Sequence, residues 1–260
     1  MTERFGQFVW YELMTGDVPA ALEFYKAVVG WEAQTFPDPA MDYTLLRVPG
    51  EAAAVGGAMT LQPIHEEQGI PPNWTGYIEV DDVDLVCADI VMLGGSIRRQ
   101  PDEIPGVGRF AVAADPQGAV FIIFRPTPMD EPPPPLLPHL NGTIGWHELY
   151  CADPQAIFPF YEKLFGWEAH EVVDAGVPGE VLLFSIRGGI CGSIARIPEG
   201  MTMPFWTFYV TVDSLERAAA IVTEQRGKVL LGPVEIPGGS EILHCLDPQG
   251  AFFSLVAGEW

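Results

Sequence analysis

An internal duplication constrains the fold of this chain more than any other feature of its sequence. The stretch WYELMTGDVPAALEFYKAVVGWEA (residues 10–33) matches WHELYCADPQAIFPFYEKLFGWEA (146–169) at 11 of 24 positions without a gap. Further along, PDEIPGVGRFAVAADPQGAVFIIF (101–124) matches PVEIPGGSEILHCLDPQGAFFSLV (233–256), again at 11 of 24 positions. The chain therefore contains two versions of one domain, and its fold must be one that can occur twice in 260 residues.

Each half begins with a strand followed by a helix. The run FVWYELMT (8–15) has strand character, and Asp17 is placed to accept hydrogen bonds at the start of a helix. Apolar side chains then recur at helical spacing until Gly30, a residue type that suits a helix end. The other residues of this pattern are Pro19, Leu22, Tyr25 and Val29 in the first half, and Asp153, Pro154, Ile157, Tyr161, Leu164 and Gly166 in the second.

The same pattern restarts in the middle of each half. A strand-like run, WTGYIEV or WTFYVTV, leads to a helix cap at Asp82 or Ser214. The helix positions are Val83, Val86, Ile90 and Leu93 before Gly94 and Gly95, and Leu215, Ala218 and Val222 before Gly227. Two strands joined by the turn DPQG follow in both halves. Four such repeats predict an α+β fold of four βαβββ modules, with helices covering one face of curved mixed sheets.

A proline-rich stretch separates the halves. The sequence TPMDEPPPPLLPHLN (127–141) should be stiff and extended, which suits a linker. The predicted boundaries are a first domain at 1–127 with modules at about 5–65 and 73–126, a linker at 128–141, and a second domain at 142–260 with modules at about 142–198 and 204–257.

Charge and cysteine content narrow the classes of function. The chain carries 35 acidic and 13 basic residues, a formal net charge of −22, which repels phosphate backbones and anionic lipid surfaces. Nucleic-acid and membrane partners are therefore not expected, and neither a signal peptide nor a membrane-spanning segment is predicted. The four scattered cysteines, Cys87, Cys151, Cys191 and Cys245, are typical of reduced thiols, so we expect a cytoplasmic protein.

Several short motifs carry a family resemblance. They are ELMTGDVPAALEFYKAVVGW and HELYCADPQAIFPFYEKLFGW at two module starts, YIEVDDVD and YVTVDSLE, and both DPQGA turns. With these motifs the chain resembles the vicinal oxygen chelate superfamily, also called the glyoxalase/bleomycin-resistance/dioxygenase fold. The resemblance covers nearly the whole chain outside the linker and implies two cup-shaped glyoxalase-like domains, each made of two paired modules. Because this fold supports many chemistries, the resemblance does not specify an activity.

The resemblance also implies where a metal would be held, since enzymes of that superfamily usually bind a divalent ion inside the cup with His, Gln or Glu. Counting from the capping acid places these positions at Trp10, Thr75 and Ile122 in the first half and at Trp146, Thr207 and Ser254 in the second. A further position falls near Gly57 or Ser193. Zn, Fe, Mn and Ni sites need imidazole or carboxylate donors at about 2.0–2.2 Å, which these residues do not supply. We therefore predict no metal and no cofactor.

Two glutamates share a strand face with the two tryptophans. Side chains alternate along a strand, so Glu12 points the same way as Trp10, and Glu148 the same way as Trp146. A buried carboxylate needs a partner, and a hydrogen bond to backbone amides or a hydroxyl would give each glutamate a structural role. The alternative is that Glu12 and Glu148 are catalytic bases, with a pKa raised beside the indole.

The candidate ligand contacts combine aromatic, hydroxyl and a few charged side chains. Trp10 and Trp146 could stack on a flat ligand or pack in the core. Tyr77 and Tyr209 could line the same cavities or be satisfied core tyrosines. The full set of candidates is Trp10, Thr75, Tyr77, Arg109, Ile122, Trp146, Thr207, Tyr209, His244 and Ser254.

The cationic and imidazole candidates each have a plain structural alternative. Arg109 could bind an anion or form a surface ion pair, and its counterpart in the second half is Glu241. His244 precedes CLDPQG on a strand, so it could reach the second cavity or simply be packed. His147 lies between a tryptophan and a glutamate in sequence and is expected on the opposite strand face, pointing outward.

Three hypotheses of function remain. The first is a metal-independent pocket that sequesters or senses a small, flat organic molecule, because apolar walls with a few polar groups suit such a site. The second is an enzyme, either a glyoxalase-like lyase or a hydroxylase or dioxygenase, with Glu12 or Glu148 as base. The third is a structural or partner-binding protein whose cups are filled by its own side chains. We expect a monomer with an internal pseudo-dimer, or a weak homodimer.

Overall fold

The structure is a computed structural model, and it describes residues 4–38, 41–137, 139–176, 179–237 and 239–258. The elements of the first half are β1 (Phe8–Thr15), α1 (Val18–Val29), β2 (Glu32–Thr35), β3 (Tyr43–Arg47), β4 (Ala54–Thr60), α2 (Pro63–Glu67), β5 (Asn73–Glu79), α3 (Val83–Met92), β6 (Ser96–Ile104), β7 (Gly108–Ala114) and β8 (Val120–Pro126). The elements of the second half are β9 (Ile144–Cys151), α4 (Pro154–Phe165), β10 (Glu168–Asp174), β11 (Glu180–Ile186), β12 (Gly189–Arg196), β13 (Phe205–Thr211), α5 (Leu215–Glu224), β14 (Lys228–Glu235), β15 (Glu241–Leu246) and β16 (Phe252–Ala257).

These elements confirm the predicted α+β fold of four βαβββ modules paired into two domains. The modules begin at β1, β5, β9 and β13, and each continues with a helix and three strands. The first sheet has the strand order β2-β3-β4-β1-β5-β8-β7-β6, and the second has the order β10-β11-β12-β9-β13-β16-β15-β14. The first strand of each module thus lies at the middle of its sheet. The short helix α2, between the first two modules, has no place in the predicted βαβββ pattern.

Local capping explains where the four main helices begin. The Asp17 side chain accepts a hydrogen bond from the backbone N–H of Ala20, and the Asp82 side chain accepts one from Leu85. Asp153 and Ser214 cap α4 and α5 in the same way. The predicted helix ends are also confirmed at Gly30 and Gly166, which adopt the left-handed conformation that glycine tolerates best.

The core face of α1 differs slightly from the predicted one. The spacing predicted a buried stripe through Leu22, Tyr25 and Val29, but Leu22 and Val29 are only half-buried. The buried residues of α1 are Ala21, Phe24, Tyr25 and Val28. The helix is apolar over a wider arc than one stripe, so sequence spacing alone could not fix which edge of that arc faces the sheet.

The chain packs as two compact units, and each takes segments from both halves of the sequence. One unit combines the chain up to Trp10, Thr75–Pro132 and His147–Trp206, and the other combines Tyr11–Trp74, Pro133–Trp146 and the chain from Thr207. The predicted boundaries at 127 and 141 therefore stay a prediction about the duplicated sequence. Residues 127–137 contain no helix or strand, as expected of a linker.

Within each unit, a helix tyrosine from one half binds the DPQG turn of the other half. The Tyr161 hydroxyl of α4 donates to Oδ2 of Asp115 at 2.8 Å and accepts from Nε1 of Trp206 at 3.3 Å. In the second unit, the Tyr25 hydroxyl donates to Oδ2 of Asp247 at 3.1 Å and accepts from Nε1 of Trp74 at 2.8 Å. Inside each unit, these hydrogen bonds therefore join a module of one half to a module of the other half.

Two buried indoles make a second pair of such contacts. Nε1 of Trp31 donates to the carbonyl oxygen of Gly142, and Nε1 of Trp167 donates to that of Gly6, both at 2.8 Å. Trp31 and Trp167 are each 2 % exposed or less, so an unsatisfied indole N–H here would be costly. The GW pairs of the duplicated motif therefore serve to anchor distant chain segments.

Candidate functional site

Four candidates of the first half, Trp10, Thr75, Tyr77 and Ile122, lie in one compact unit, where Trp10, Tyr77 and Ile122 belong to an apolar cluster. Tyr77 of β5 is paired in register with Ile122 of β8, and both pack with Phe110 and Phe124. Trp10 of β1 packs against this cluster and stays half-buried. Three predicted contacts are thus brought together, and Trp10 is the large aromatic side chain of the set that solvent reaches.

Thr75 is another candidate of the first half, and its side chain is buried. It precedes Tyr77 by two residues in β5, so the two side chains share a sheet face, and Thr75 is only 4 % exposed. The face therefore offers mainly aromatic and aliphatic surface, which suits a flat apolar molecule better than an ion.

The candidates of the second half form a hydrogen-bonded chain. The Ser254 hydroxyl of β16 lies 2.7 Å from the Thr207 hydroxyl of β13 and 2.9 Å from Nδ1 of His244 in β15. All three side chains are buried, and Ser254 is fully buried. Register explains the arrangement, because His244 and Ser254 are directly paired across β15 and β16.

Aromatic side chains surround the imidazole of His244. The Tyr209 ring meets it edge to face at 5.7 Å between centroids, and the Phe252 ring lies at 5.5 Å. Burial in this environment lowers the pKa of His244 to about 4, because the charged imidazolium loses its hydration. The ring is therefore neutral near pH 7 and carries one N–H donor and one acceptor nitrogen.

Trp146 has surroundings in the second half that resemble those of Trp10 in the first half. It packs against Tyr209, Ile242 and Val256, and it remains half-buried. Each half thus presents one partly accessible indole beside a buried tyrosine on a central strand. A partly accessible indole of this kind can stack on a planar ligand.

The two glutamates are buried beside hydroxyl groups. Glu148 is 4 % exposed, and its Oε1 accepts a hydrogen bond from the Ser193 hydroxyl at 2.9 Å. Glu12 is 7 % exposed and is paired in register with Gly57. The Tyr43 ring and its hydroxyl fill the space that a side chain at Gly57 would take, on the face that Glu12 shares. The hydroxyl partner expected for a buried carboxylate is thus observed for Glu148.

Arg109 takes part in ion pairs. Its guanidinium binds Asp84 through two hydrogen bonds of 2.8 Å and reaches Glu103 at 3.2 Å. Hydrogen bonds to these carboxylates hold the pKa of Arg109 above its usual range. The hydrogen bond from Arg109 in turn holds the pKa of the Asp84 carboxyl below the usual range of an aspartate. The ion-pair alternative therefore describes this side chain, and an anionic ligand would have to compete with two carboxylates.

The outward orientation predicted for His147 is wrong. The His147 side chain is buried, stacks on Phe8 at 4.2 Å between ring centroids, and places Nδ1 3.0 Å from the carbonyl oxygen of Cys191. Phe8 of β1 covers His147, and helix α4 packs on β10, β11 and β12 of the same sheet, so this face is not a solvent face. Burial lowers the pKa of His147 to about 4.

The donor chemistry at the predicted metal positions does not fit a divalent transition metal. Trp10 and Ile122 supply no donor atom, and the hydroxyls of Thr207 and Ser254 are engaged with each other. Within the described parts of the chain, no group of three or more His, Cys, Asp or Glu side chains could hold a metal ion.

Several residues of these faces were missed by sequence reasoning. Phe110 and Val112 of β7 and Phe124 of β8 pack on the Tyr77 cluster, and Tyr43 covers Gly57. Alternation along β7 and β8 is the signal that could have found the first three. Phe110 and Val112 share one face of β7, and their register partners Phe124 and Ile122 in β8 lie on the same face of the sheet. The close contact at Gly57 has no signature in the sequence except the glycine itself.

The four cysteines are not joined by disulfide bonds. Cys87, Cys151, Cys191 and Cys245 are free thiols, and burial raises the pKa of Cys151 and Cys245 to about 12. Those two thiols therefore stay protonated and unreactive near neutral pH.

Among the helices that the structure describes, none is long and apolar enough to cross a membrane.

A family model for the Glyoxalase/Bleomycin resistance protein/Dioxygenase superfamily matches this chain twice, at residues 7–123 and 139–255. The chain belongs to this superfamily. The two matches follow the duplicated halves, and the βαβββ order of the modules agrees with the superfamily assignment. The predicted family is therefore confirmed, and the superfamily name describes fold and ancestry without an activity.

Two members of the superfamily with curated names are similar over nearly their whole length. The anthracycline biosynthesis protein DauV of Streptomyces sp. (strain C5) is 30% identical over 260 residues, covering 96% of this chain and 93% of DauV. A Mycobacterium tuberculosis protein named provisionally as a glyoxylase, CFP32, is 29% identical over 249 residues, covering 95% of this chain and 93% of that protein.

Solved structures of the superfamily share the fold. The 2,3-dioxygenase LapB from Pseudomonas sp. KL28 has a TM-score of 0.67 at 15% identity, covering 99% of this chain and 94% of LapB. A Mn(II)-bound glyoxalase from Novosphingobium aromaticivorans has a TM-score of 0.66 at 15% identity, covering 98% of this chain and 82% of that structure. At such low identity this likeness concerns the fold alone.

Proposed function

We propose that this protein binds a small, flat organic molecule on the faces that carry Trp10 and Trp146, without a metal ion. One observation carries the proposal. In each half, a half-buried tryptophan lies beside a buried tyrosine and aliphatic side chains, and the tryptophan stands where the family resemblance implies a metal ligand. Binding or sequestration needs only such apolar walls with a few polar groups.

The polar groups near these faces support recognition of a neutral ligand. The His244 imidazole and the hydroxyls of Ser254 and Thr207, which hydrogen-bond one another, are uncharged groups and place no charge on this face. The Arg109 guanidinium is bound to Asp84 and Glu103, and the chain carries a net charge of −22. A neutral or cationic aromatic molecule therefore suits the protein better than an anionic one.

The name of one relative, DauV, supports a flat aromatic ligand. DauV is named as an anthracycline biosynthesis protein, and anthracyclines are built on planar fused rings. We extend this likeness to the present chain as a proposal about ligand shape only. The planar compound 1,4-dihydroxyanthraquinone is a convenient probe of the same shape.

The proposal predicts that Trp10→Leu and Trp146→Leu each weaken binding of 1,4-dihydroxyanthraquinone. Leucine keeps an apolar side chain but removes the flat surface on which the ring would stack. Loss of a well-placed aromatic contact of this kind should raise the Kd by about tenfold. Isothermal titration of the wild type and both variants measures this directly.

Trp74→Phe provides a matched control. Trp74 is a half-buried tryptophan that precedes Thr75 in β5 and so projects to the opposite sheet face, where it binds the Tyr25 hydroxyl. Its substitution should leave the Kd unchanged. Equal losses in all three variants, or no binding to the wild type, would contradict the proposal.

A catalytic alternative is favoured by one specific observation, the buried pair of Glu148 and Ser193. A buried carboxylate next to a hydroxyl can take up a proton from a bound substrate, and CFP32 carries the name of a glyoxylase. Turnover of the methylglyoxal–glutathione hemithioacetal, measured with and without added Ni²⁺ or Zn²⁺, tests this alternative. Activity that is lost in Glu148→Gln would replace the binding proposal with an enzymatic one.

A further inference from the structure

A row of side chains crosses the first-half face from the middle of the sheet to its edge. Tyr77 of β5 is paired in register with Ile122 of β8, and Ile122 with Val112 of β7. Val112 is paired in turn with Arg99 of the edge strand β6. The Arg99 side chain is 59 % exposed, so the row ends in an accessible charged group.

The guanidinium of Arg99 lies over the apolar face. Its Cζ is 4.8 Å from the centroid of the Phe110 ring, and Phe110 belongs to the same cluster as Tyr77. Nη2 of Arg99 donates to Oδ2 of Asp102 at 2.7 Å, and Asp102 is the register partner of Phe110. The ring contact and the ion pair therefore hold a cationic group, with its charge balanced by Asp102, directly above the apolar surface.

Stability does not explain this arrangement. The side chains of Arg99 and Asp102 are 59 % and 53 % exposed, and exposed ion pairs contribute little to folding. Leu231 occupies the equivalent place in the second half. It pairs with His244 of β15 as Arg99 pairs with Val112 of β7, so the fold accepts an uncharged residue there.

We propose that Arg99 is the specificity-determining residue of the first-half face and that it binds the hydroxyl or carbonyl oxygen of a neutral, flat ring. This inference rests on the proposed function and extends it, because it names the substituent that the ligand carries and the half that recognises it. The second-half face, with Leu231 at this place, does not make this hydrogen bond.

The chemistry of the guanidinium explains how the selection works. A guanidinium has five N–H donors, and the hydrogen bond to Asp102 uses one of them, so an exposed Arg99 can also donate to a ligand. The ring itself packs on the half-buried Trp10 and Val112. Because Asp102 balances the charge, the site suits a neutral oxygen, and a ring without oxygen gains the apolar contact alone.

The test exchanges Arg99 for the residue of the second half. The ligands are 1,4-dihydroxyanthraquinone and anthracene, the fused-ring hydrocarbon of the same shape without oxygen. Both are titrated by fluorescence against the Trp146→Leu variant, which weakens the second-half face, with and without Arg99→Leu. Arg99→Leu should raise the Kd of 1,4-dihydroxyanthraquinone about fivefold, equivalent to one net hydrogen bond, and leave the Kd of anthracene unchanged.

Arg217→Leu is the matched control in the same background. Arg217 of α5 is also an exposed arginine that pairs with an aspartate, Asp213, at 3.3 Å. Its substitution removes the same charge at another place and should leave both Kd values unchanged. Thermal unfolding of Arg99→Leu should match that of its parent, because the side chain is exposed and leucine is accepted at the equivalent position.

The outcomes separate this inference from the proposed function. If both rings bind and Arg99→Leu leaves the ratio of their Kd values unchanged, the inference is wrong and the proposed function stands. An equal loss in Arg217→Leu would assign the effect to net charge and would also contradict the inference. If neither ring binds the wild type, the proposed function is contradicted and this inference falls with it. A loss confined to Arg99→Leu and to the hydroxylated ring supports both.

Discussion

At the scale of single residues, the two buried imidazoles link the candidate site to the stability of the protein. His147 is 7 % exposed and His244 is 5 % exposed, and burial lowers the pKa of each from 6.5 to about 4. Only the neutral form is compatible with these environments, so the unfolded chain binds protons more readily than the folded one. Stability from this source is complete above pH 6.5 and is lost as the pH falls toward 4.

We therefore expect acid to destabilise the protein through these histidines. A difference of two to three pKa units corresponds to about 3 kcal/mol of unfolding free energy per histidine between pH 7.5 and pH 4. Denaturant unfolding at several pH values measures the loss. The variant His244→Val with Ser254→Ile should show a shallower pH dependence than the wild type, and an identical slope would contradict the assignment for His244.

At the residue level, strand alternation predicted a common face for Thr75 and Tyr77, whereas only the family resemblance implied that Trp10 lies near them. The structure packs Trp10 against the Tyr77 cluster and Trp146 against the Tyr209 cluster, and their role in ligand binding stays a prediction. Alternation failed for His147, because a face opposite the candidate site can be covered by another part of the chain. The Ser254–His244 contact also needed the structure, since pairing between β15 and β16 is a matter of register.

At the scale of elements, the DPQG turns are the points where modules from different halves meet. Oδ1 of Asp115 accepts hydrogen bonds from the backbone N–H groups of Gln117, Gly118 and Ala119, and Oδ2 accepts one from Tyr161. The turn needs glycine at position 118, where φ is +106°. The aspartate therefore organises its own turn and binds a helix from the other half.

Removing the tyrosine hydroxyl should weaken this contact. Tyr161→Phe leaves Oδ2 of Asp115 and the Nε1–H of Trp206 without that partner, at a cost of about 1–3 kcal/mol. Tyr25→Phe should cost a similar amount in the other unit, because Tyr25 bridges Asp247 and Trp74 in the same way. Thermal and denaturant unfolding test both variants, and a loss in only one of them would contradict the equivalence of the two contacts.

The elements themselves were largely predictable from the sequence. Capping residues such as Asp17 and Asp82, the glycines that end helices, and the DPQG turns are local signals with local causes. The partners of Tyr161 and Tyr25 were not predictable, because a hydrogen bond between residues 46 or 222 positions apart depends on packing of whole modules.

At the scale of the whole molecule, the sequence repeat and the compact units divide the chain differently. Each compact unit contains segments from both sides of the proline-rich stretch, as seen in the contacts of Tyr161 with Asp115 and of Trp31 with Gly142. Sequence similarity reports how the chain arose, whereas packing reports which segments stabilise one another. The halves are therefore expected to depend on each other for stability.

Cleavage of the chain tests this dependence. A protease site inserted between Pro132 and Pro133 should give two fragments that remain associated during size-exclusion chromatography, because contacts such as Tyr25 with Asp247 join segments of both. Either fragment expressed alone should aggregate or lose its cooperative unfolding transition, since it lacks the partners of its buried groups. Two independently folded monomeric fragments would contradict this expectation.

The most direct test of the central claim is a crystal structure of the protein grown with both 1,4-dihydroxyanthraquinone and Mn²⁺. The account predicts electron density for a planar ring stacked on Trp10 or Trp146, and no anomalous peak coordinated by protein side chains at either site. A manganese ion bound by two or more side chains at those positions would contradict the claim that aromatic surfaces have replaced a metal site.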